Sequence, residues 1–470
     1  MCATRYKSLE PRQVTLSREE DAGPSPRSRR GGLLQRVGTA VLQRLLARLE
    51  WGNLRVITPE GVVVAHSPAS ERYGEERKAD ADADPQTPGA HATLVLHRWR
   101  MLLRLLRDGD IGFAESYIDG DWSSPDIAAL IALAARNRDA LDGTLSGTWW
   151  RRLADHRKHK RCENTRCGSR RNIAEHYDLG NAFYEAWLDA SMCYSSGIYP
   201  CDVPPGQSAD MRQTLEAAQA RKLDEIERLL MLQGGESVLE IGCGWGALAI
   251  RLAQRGCHVV ALTLSQAQFD ETTARVMAAG LMDQVTVRLQ DYRDVQGTFD
   301  RVVSIEMFEA VGETYWSTYY HALSRCLRPG GVAVLQVITI AESRFDAYRD
   351  DVDFIQRYVF PGGMLPAPSH LHSLGDAVSL PLLRERCFGL SYAATLAEWR
   401  KRFLDKWPVI RTMGFDERFR RLWEYYLAYC EGGFAAGAIN VGLYQYRRGG
   451  AMPDGESVPT RAIDIIGTVG

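Results

Sequence analysis

The glycines at positions 242, 244 and 246 are the residues whose spacing points most directly to a bound small molecule. They follow the apolar run 238–241 and precede an amphipathic pattern of helical period. Without Cβ atoms they let the backbone turn sharply and bring its N–H groups against a ligand. The spacing is GxGxG, not the GxGxxG of a dinucleotide site, and it favours S-adenosylmethionine. An ordinary strand-to-helix turn is the alternative, so the following elements must decide.

Four further apolar runs follow this loop at intervals that fit a parallel α/β sheet. They lie at 257–263, 285–289, 299–305 and 331–338. Strands that alternate with helical patterns predict a doubly wound sheet, whose ligand lies beyond the carboxyl ends of the strands. Residues at those ends are therefore candidates for the site.

Composition restricts the class of protein. A chain of 470 residues predicts two or three units, and a net charge of −2 argues against a nucleic-acid binder that relies on a global positive field. The ten cysteines lack the paired spacing of a zinc site, so we expect no metal and reduced, cytoplasmic thiols. No run is long enough to span a bilayer and no signal peptide is evident, which predicts a soluble or peripheral protein.

One segment of the chain is strongly basic, although the net charge of the whole chain is close to zero. Residues 151–171 contain nine Lys and Arg against two acidic residues. Such a segment could lie on an anionic bilayer, where each basic residue contributes ~1 kcal/mol. A solvated linker is an equally good interpretation.

The domain organisation follows from shifts in composition and periodicity. We predict a disordered tail (1–30), a small α+β domain (31–145), a basic linker (146–170) and an α/β domain (171–470). A basic amphipathic helix at 32–50 could lie on a membrane or cover its own domain. Beyond the fifth strand we predict helices at 341–358, 393–407 and 415–430. The last two are rich in aromatic residues, which form either core or the lining of an apolar tunnel.

Several short stretches resemble the cyclopropane-fatty-acyl-phospholipid synthases and related mycolic-acid methyltransferases. Besides the glycine loop, they are HYDLGN (176–181), MCYSS (192–196), TLSQAQ (263–268), QDYRD (290–294), MFEAVG (307–312) and FPGGMLP (360–366). The resemblance implies a Rossmann-like class I methyltransferase fold with a mostly parallel doubly wound sheet and a helical cap. The amino-terminal part resembles the small lipid-carrier-like domain of longer bacterial members.

The resemblance also assigns six residues to S-adenosylmethionine, in addition to Gly242, Gly244 and Gly246. Tyr194 and Ser195 are implied for the methionine carboxylate, and Thr263 and Gln268 for the ribose hydroxyls. Asp291 and Tyr292 are implied for the adenine. A buried turn that serves packing alone is the alternative for the first pair.

The implied reaction is methyl transfer to the cis double bond of an unsaturated acyl chain in a membrane phospholipid. A base then removes a proton from the new methyl group and a cyclopropane ring closes. In this family the base is a bicarbonate ion. Its implied holders are the Ser196 backbone, the Glu309 carboxylate, Gln336, the Ile338 backbone and the Tyr392 hydroxyl. Glu309 could instead be a surface or capping carboxylate, and Tyr392 a core tyrosine.

Two of these positions depart from the family pattern. Ser196 stands where well-known members have cysteine, and Gln336 where they have histidine. Glutamine can donate a hydrogen bond but cannot carry positive charge. We therefore expect cyclopropane formation, with a methyl- or methylene-branched product or a non-catalytic lipid-binding homologue as alternatives. Because the chain has no spanning segment yet should reach an acyl chain, we expect peripheral attachment to the inner face of the cytoplasmic membrane, driven partly by the basic linker. A homodimer is an open alternative to a monomer.

Overall fold

The computed structural model describes residues 30–66, 91–145, 164–165, 168–169, 179–200, 214–449 and 462–464. The predicted tail and most of the predicted basic linker lie outside the described residues. The chain divides into two units, one of residues 1–152 with 411–425 and one of 153–410 with 426–470. The segment 411–425 therefore groups with the amino-terminal unit, whereas we predicted it as part of the α/β domain 171–470.

The first unit contains a four-stranded sheet in the order β2-β1-β3-β4. Its elements are α1 (Arg30–Leu46), β1 (Asn53–Ile57), β2 (Val63–His66), β3 (His91–Leu96), α2 (Arg100–Ile118), β4 (Trp122–Ser123), α3 (Ile127–Arg136) and α4 (Arg138–Leu145). β1 and β2 are joined by a turn at Gly61 (φ +79°) and form an antiparallel pair.

Asp121 is the main charged group inside this unit. Its side chain is fully buried and accepts hydrogen bonds from Arg98 at 3.1 Å and Arg100 at 2.7 Å. Arg104 lies 3.4 Å away as a third cation. A buried carboxylate needs such compensation, so the cluster ties β4 to the beginning of α2.

The second unit contains an eight-stranded sheet in the order β12-β10-β11-β9-β8-β5-β6-β7. The strands are β5 (Ser237–Ile241), β6 (His258–Thr263), β7 (Val285–Leu289), β8 (Phe299–Ile305), β9 (Leu327–Ile340), β10 (Leu382–Cys387), β11 (Ile439–Arg447) and β12 (Ala462–Asp464). Strands β5 to β9 are mutually parallel, and β11 runs antiparallel between β9 and β10. The predicted mostly parallel doubly wound sheet is confirmed.

The sheet has its topological switch at β5, which lies between β6 and β8. In open α/β sheets a ligand binds at such a point, outside the carboxyl ends of the strands. The central strands are almost continuously buried, since helices cover both faces. The loops after β5, β6, β8 and β9 therefore meet at one edge.

The helices of this unit only partly follow the predicted pattern. They are α5 (Asn181–Glu185), α6 (Leu215–Leu230), α7 (Ala247–Gln254), α8 (Gln266–Ala278), α9 (Trp316–Cys326), α10 (Phe345–Arg349), α11 (Phe354–Tyr358), α12 (Pro368–Ala377), α13 (Gly389–Asp405), α14 (Trp407–Thr412) and α15 (Glu417–Ala435), the first part of which belongs to the other unit. The predicted single helix 341–358 is wrong, because Asp353 forms a capping box with Gln356 and begins a new helix. Pro408 similarly separates α14 from α13.

Candidate active site

The glycine loop after β5 leaves an open space where a ligand can approach the backbone. Gly242, Gly244 and Gly246 all have positive φ angles, of +85°, +54° and +84°. A Cβ added at Gly242 would lie 2.9 Å from Cγ of Met307, and one at Gly246 would lie 2.6 Å from Cγ2 of Thr272. A Cβ at Gly244 would meet no protein atom within 4 Å. Packing thus requires two of the glycines, whereas Gly244 faces space free of protein atoms, where a ligand could approach the backbone.

Hydrogen bonds hold this loop to segments on either side. The Trp245 indole N–H donates to Oδ1 of Asn181 at 3.0 Å, which joins the loop to the HYDLGN stretch. Thr272 Oγ1 donates to the carbonyl of Gly244 at 3.1 Å. The loop is therefore fixed before any ligand binds, as preorganised binding requires.

The two residues predicted for the ribose are adjacent at the carboxyl end of β6. The Thr263 hydroxyl donates to Oε1 of Gln268 at 2.9 Å, and both side chains are buried. Ser265 caps α8 by accepting a bond from the Gln268 amide. The structure brings this predicted pair together.

The two residues predicted for the adenine have other partners. The Asp291 carboxylate accepts hydrogen bonds of 2.7 and 2.8 Å from the Arg293 guanidinium, so part of its acceptor capacity is taken. The Tyr292 ring lies in the hydrophobic core, edge-on to Tyr319 at 5.2 Å between centroids, and burial raises its pKa to about 12. Asp291 therefore lies at the strand end as the partner of Arg293, and the Tyr292 ring has a packing role of its own.

The turn that contains Tyr194 and Ser195 is held by the buried side chains of α6. Lys222 Nζ donates to Ser195 Oγ at 2.6 Å, and Gln219 donates to the Ser195 carbonyl at 2.8 Å. Tyr194 shares a hydroxyl–hydroxyl hydrogen bond of 2.9 Å with Tyr426. These contacts fix the turn, and Lys222 adds a buried positive charge that sequence analysis did not include.

Glu306 occupies the centre of the predicted anion shell. It directly follows β8, and its Oε1 accepts hydrogen bonds from the Ser196 amide at 2.9 Å and from Gln336 Nε2 at 2.7 Å. Its Oε2 accepts the Tyr392 hydroxyl at 2.6 Å. Three of the five predicted anion holders therefore converge on one carboxylate, which sequence analysis did not name.

Glu309 binds the remaining backbone group of that shell. Its Oε1 accepts the Ile338 amide at 2.5 Å. Its Oε2 is buried and makes no hydrogen bond within the described part of the chain. The residues predicted to surround one ion are thus divided between two carboxylates.

The two carboxyl groups differ in their electrostatic surroundings. Burial raises the pKa of Glu309 to about 8, and the negative charge of Glu306 adds to this effect. Burial also raises the pKa of Glu306, but its three hydrogen-bond donors and the Lys222 ammonium oppose the increase. A pKa of about 8 keeps Glu309 mostly protonated at neutral pH, whereas the donors around Glu306 favour its charged form.

The implied bicarbonate ion does not fit this arrangement. The Ser196 amide, Gln336 and Tyr392 already donate to the Glu306 carboxylate. A second anion at the same donors would face that carboxylate in a partly dehydrated site, which is electrostatically costly. We therefore derive no step through bicarbonate.

Aromatic rings from α13 and α15 pack around Tyr392, whose hydroxyl donates to the Glu306 carboxylate. The Tyr392 ring packs against Phe434 at 4.5 Å and edge-on to Trp399 at 6.1 Å. Trp399 in turn lies 5.3 Å from the Tyr194 ring. The aromatic helices therefore form core, and Tyr392 connects this aromatic wall to the carboxylate.

Glu306 was detectable from sequence, whereas Lys222 was not. Glu306 is the first residue after a predicted strand, where site residues of a parallel sheet are expected. Lys222 lies on α6, for which no prediction was made. In the described part of the chain, no cluster of His, Cys, Asp and Glu could hold a metal, and no helix is long and apolar enough to cross a membrane.

Comparison with known proteins identifies the family of this chain. The family model described as mycolic acid cyclopropane synthetase matches residues 164–444. Tuberculostearic acid methyltransferase UfaA1 of Mycobacterium tuberculosis is 38% identical over 417 residues, which cover 88% of this chain and 92% of that protein. The cyclopropane-fatty-acyl-phospholipid synthase of Escherichia coli K12 is 36% identical over 353 residues, or 74% of this chain and 85% of that protein.

The crystal structure of mycolic acid cyclopropane synthase CmaA1, complexed with SAH and CTAB, has a similar fold. It aligns with a TM-score of 0.53 and 27% identity and covers 59% of this chain and 98% of that one. The chain therefore belongs to the mycolic acid cyclopropane synthetase family, and it is a class I S-adenosylmethionine-dependent methyltransferase.

Proposed function

We propose that this enzyme methylates the cis double bond of an unsaturated acyl chain in a membrane phospholipid and forms a cyclopropane fatty acid. The observation that carries the proposal is the Glu306 carboxylate, held by three donors beside the glycine loop and among aromatic rings. A carboxylate in these surroundings suits the removal of a proton from a carbon atom next to positive charge. The names of the relatives, one of them a cyclopropane-fatty-acyl-phospholipid synthase, agree with this substrate class.

The residues of this chain suit S-adenosylmethionine. Gly244 leaves room for it, the fixed turn at Tyr194 and Ser195 would bind its methionine end, and Thr263 with Gln268 would bind its ribose. When bound, the cofactor supplies an electrophilic methyl group on a positively charged sulfur. Met307, the contact of Gly242, is the neighbour of Glu306, so the loop and the carboxylate lie on adjoining segments.

The aromatic wall has a function in the same reaction. Methyl addition to an alkene leaves positive charge on the acyl chain. The faces of Tyr194, Trp399 and Phe434 are apolar and electron-rich, so they would accept the chain and stabilise that charge. They would also exclude water, which otherwise would add to the charged carbon.

A methyl- or methylene-branched product from the same substrate is the second candidate. It is favoured by Gln336, which stands where the resemblance leads us to expect histidine, and by the similarity to a tuberculostearic acid methyltransferase over 88% of the chain. Both products begin with the same methyl transfer and both require loss of a proton. They differ in whether a hydride shift precedes that loss.

Lipid analysis after expression tests the function. The gene would be expressed in a bacterium that lacks such an enzyme, with an empty vector and the Glu306→Gln variant as controls. Mass spectrometry should show unsaturated phospholipids gaining the mass of one methylene group in the wild type alone, and NMR of the product separates ring from branch. Unchanged phospholipids despite folded, cofactor-binding protein would contradict the proposal.

We also propose that the enzyme acts as a peripheral protein on the inner face of the cytoplasmic membrane. The basic stretch 151–171, most of which lies outside the described residues, supplies the charge for anionic lipid. Liposome flotation should require anionic lipid and weaken as salt is added. Equal binding to neutral vesicles at every salt concentration would instead indicate apolar insertion.

A further inference from the structure

We propose that Glu306 is the proton acceptor of the reaction and takes the place of a bound bicarbonate ion, so that the enzyme works without that ion. This inference rests on the proposed function and deepens it. It starts from a mismatch, since the residues that the family resemblance assigns to the ion bind a side chain of the protein itself.

The hydrogen-bond geometry carries the first step. The Glu306 carboxylate receives two donors on Oε1 and one on Oε2, at 2.6 to 2.9 Å. A bicarbonate ion and a carboxylate present the same pair of oxygen atoms with shared negative charge, so one set of donors suits either. Here the carboxylate is covalently attached and always present.

The backbone at Glu306 is a second, independent observation. Its φ angle is +49°, in the left-handed region that favours glycine. A non-glycine residue in this conformation is strained, and such strain concentrates at functional sites. Glycine would fit the backbone with less strain, so the side chain is what the site needs at this position.

The neighbouring groups suit a base at Glu306 and not at Glu309. Lys222 stabilises the charged form of Glu306 electrostatically, and the Tyr392 hydroxyl donates to it. Glu309 has only the Ile338 amide as a donor within the described residues, and its second oxygen is buried without a partner. Glu306 is therefore the carboxylate that is ready to accept a proton.

The step balances without any other reactant. After methyl transfer, the electron pair of one C–H bond of the new methyl group forms a bond to the positively charged carbon, and the ring closes. The proton moves to an oxygen of Glu306. Because the residue is only partly buried, the proton can leave to solvent after the product departs.

The first test compares turnover with and without bicarbonate. Wild-type turnover on vesicles of cis-monounsaturated phospholipid should be the same in carbonate-depleted buffer and after bicarbonate is added back. Glu306→Gly, which vacates the donors, should lose turnover by about 100-fold and recover part of it with added bicarbonate. Glu306→Gln should lose as much without recovery, because the amide fills the space.

A matched control separates the side chain from the backbone. Ser379 also has a positive φ angle, of +59°, and is exposed outside the site. Ser379→Gly should behave as the wild type in every assay. If Glu306→Gly does not fold, the bicarbonate-depletion experiment on the wild type and the turnover of Glu306→Gln still test whether Glu306 replaces the ion.

A binding measurement separates this inference from the proposed function. Isotopically labelled bicarbonate, followed by NMR, should bind to Glu306→Gly and not to the wild type, whatever the lipid product. Bicarbonate-dependent wild-type turnover, bicarbonate binding by the wild type, or full activity of Glu306→Gln would each overturn the inference. Failure to modify any phospholipid would overturn the proposed function. The bicarbonate-binding measurement would still show whether Glu306 occupies the place of the ion.

Discussion

Removal of the Tyr392 hydroxyl tests the electrostatic account of the site. Tyr392 donates to Glu306 at 2.6 Å, while its ring is held by Phe434 and Trp399. Burial and the charge of Glu306 raise the pKa of Tyr392 well above its usual value, so the group remains a donor. Tyr392→Phe removes this donor and keeps the ring contacts.

The magnitude follows from the lost hydrogen bond. A hydrogen bond to a charged group contributes about 1.5–3 kcal/mol, and about 1.4 kcal/mol corresponds to one pH unit. Loss of the donor disfavours the charged form, so the pKa of Glu306 should rise by about one to two pH units. The carboxylate fraction at a given pH then falls, and the acid limb of the kcat profile should move to higher pH by the same amount.

The assay is turnover on phospholipid vesicles across a pH range, with cofactor affinity measured in parallel. Glu309 and Lys222, the other ionisable groups that act on Glu306, are unchanged in the variant. The control is Tyr320→Phe, which removes a buried hydroxyl bonded to Tyr446 in the core. An acid limb that stays in place in Tyr392→Phe, with normal cofactor affinity, would refute the reasoning.

Three further predictions concern other parts of the molecule. Gly244→Ala should weaken S-adenosylmethionine binding at least tenfold, about 1.4 kcal/mol, measured by calorimetry. The control Gly280→Ala, at a glycine with the same open space and a positive φ angle, should leave the affinity unchanged. Equal affinities of the two variants would exclude the loop as the cofactor site. Glu309→Gln resembles the protonated carboxyl group and keeps an acceptor for the Ile338 amide, so it should lose less turnover than Glu306→Gln; the reverse order would assign the base to Glu309. Asp121→Asn should destabilise the first unit by about 2 kcal/mol or more, read from amide exchange in β3, because it weakens a buried charged cluster; unchanged exchange would show that the cluster contributes nothing.

The parallel strands were predictable because each carries a short run rich in β-branched and apolar residues, and these runs alternate with helical patterns. Strands β10 and β11 were not predicted. In β11, polar groups occur inside a buried strand, and two of them bond to partners that are distant in sequence. Gln445 donates to the carbonyl of Leu229 at 2.6 Å, and the Tyr446 hydroxyl shares a bond with Tyr320. Such partners come from tertiary structure, which local periodicity does not contain.

The site was predictable in its location and not in its arrangement. The resemblance identified Ser196, Gln336 and Tyr392 as groups that share one anion. The resemblance did not show which carboxylate would accept these donors, because Glu306 and Glu309 lie only three residues apart on a short segment. The positive φ angle of Glu306 and the 3₁₀ turn Phe308–Ala310 give the two carboxylates different partners. This choice depends on backbone conformation, for which the sequence carries no simple signal.

The carbon atom that loses the proton gives the most direct test of the account. The enzyme would be incubated with a cis-monounsaturated phospholipid and S-adenosylmethionine whose transferable methyl group carries three deuterium atoms. If Glu306 removes a proton from the transferred methyl group, mass spectrometry should find two deuterium atoms in every product molecule. Retention of all three would show that the proton leaves from the acyl chain instead, and would contradict ring closure by a base at this position.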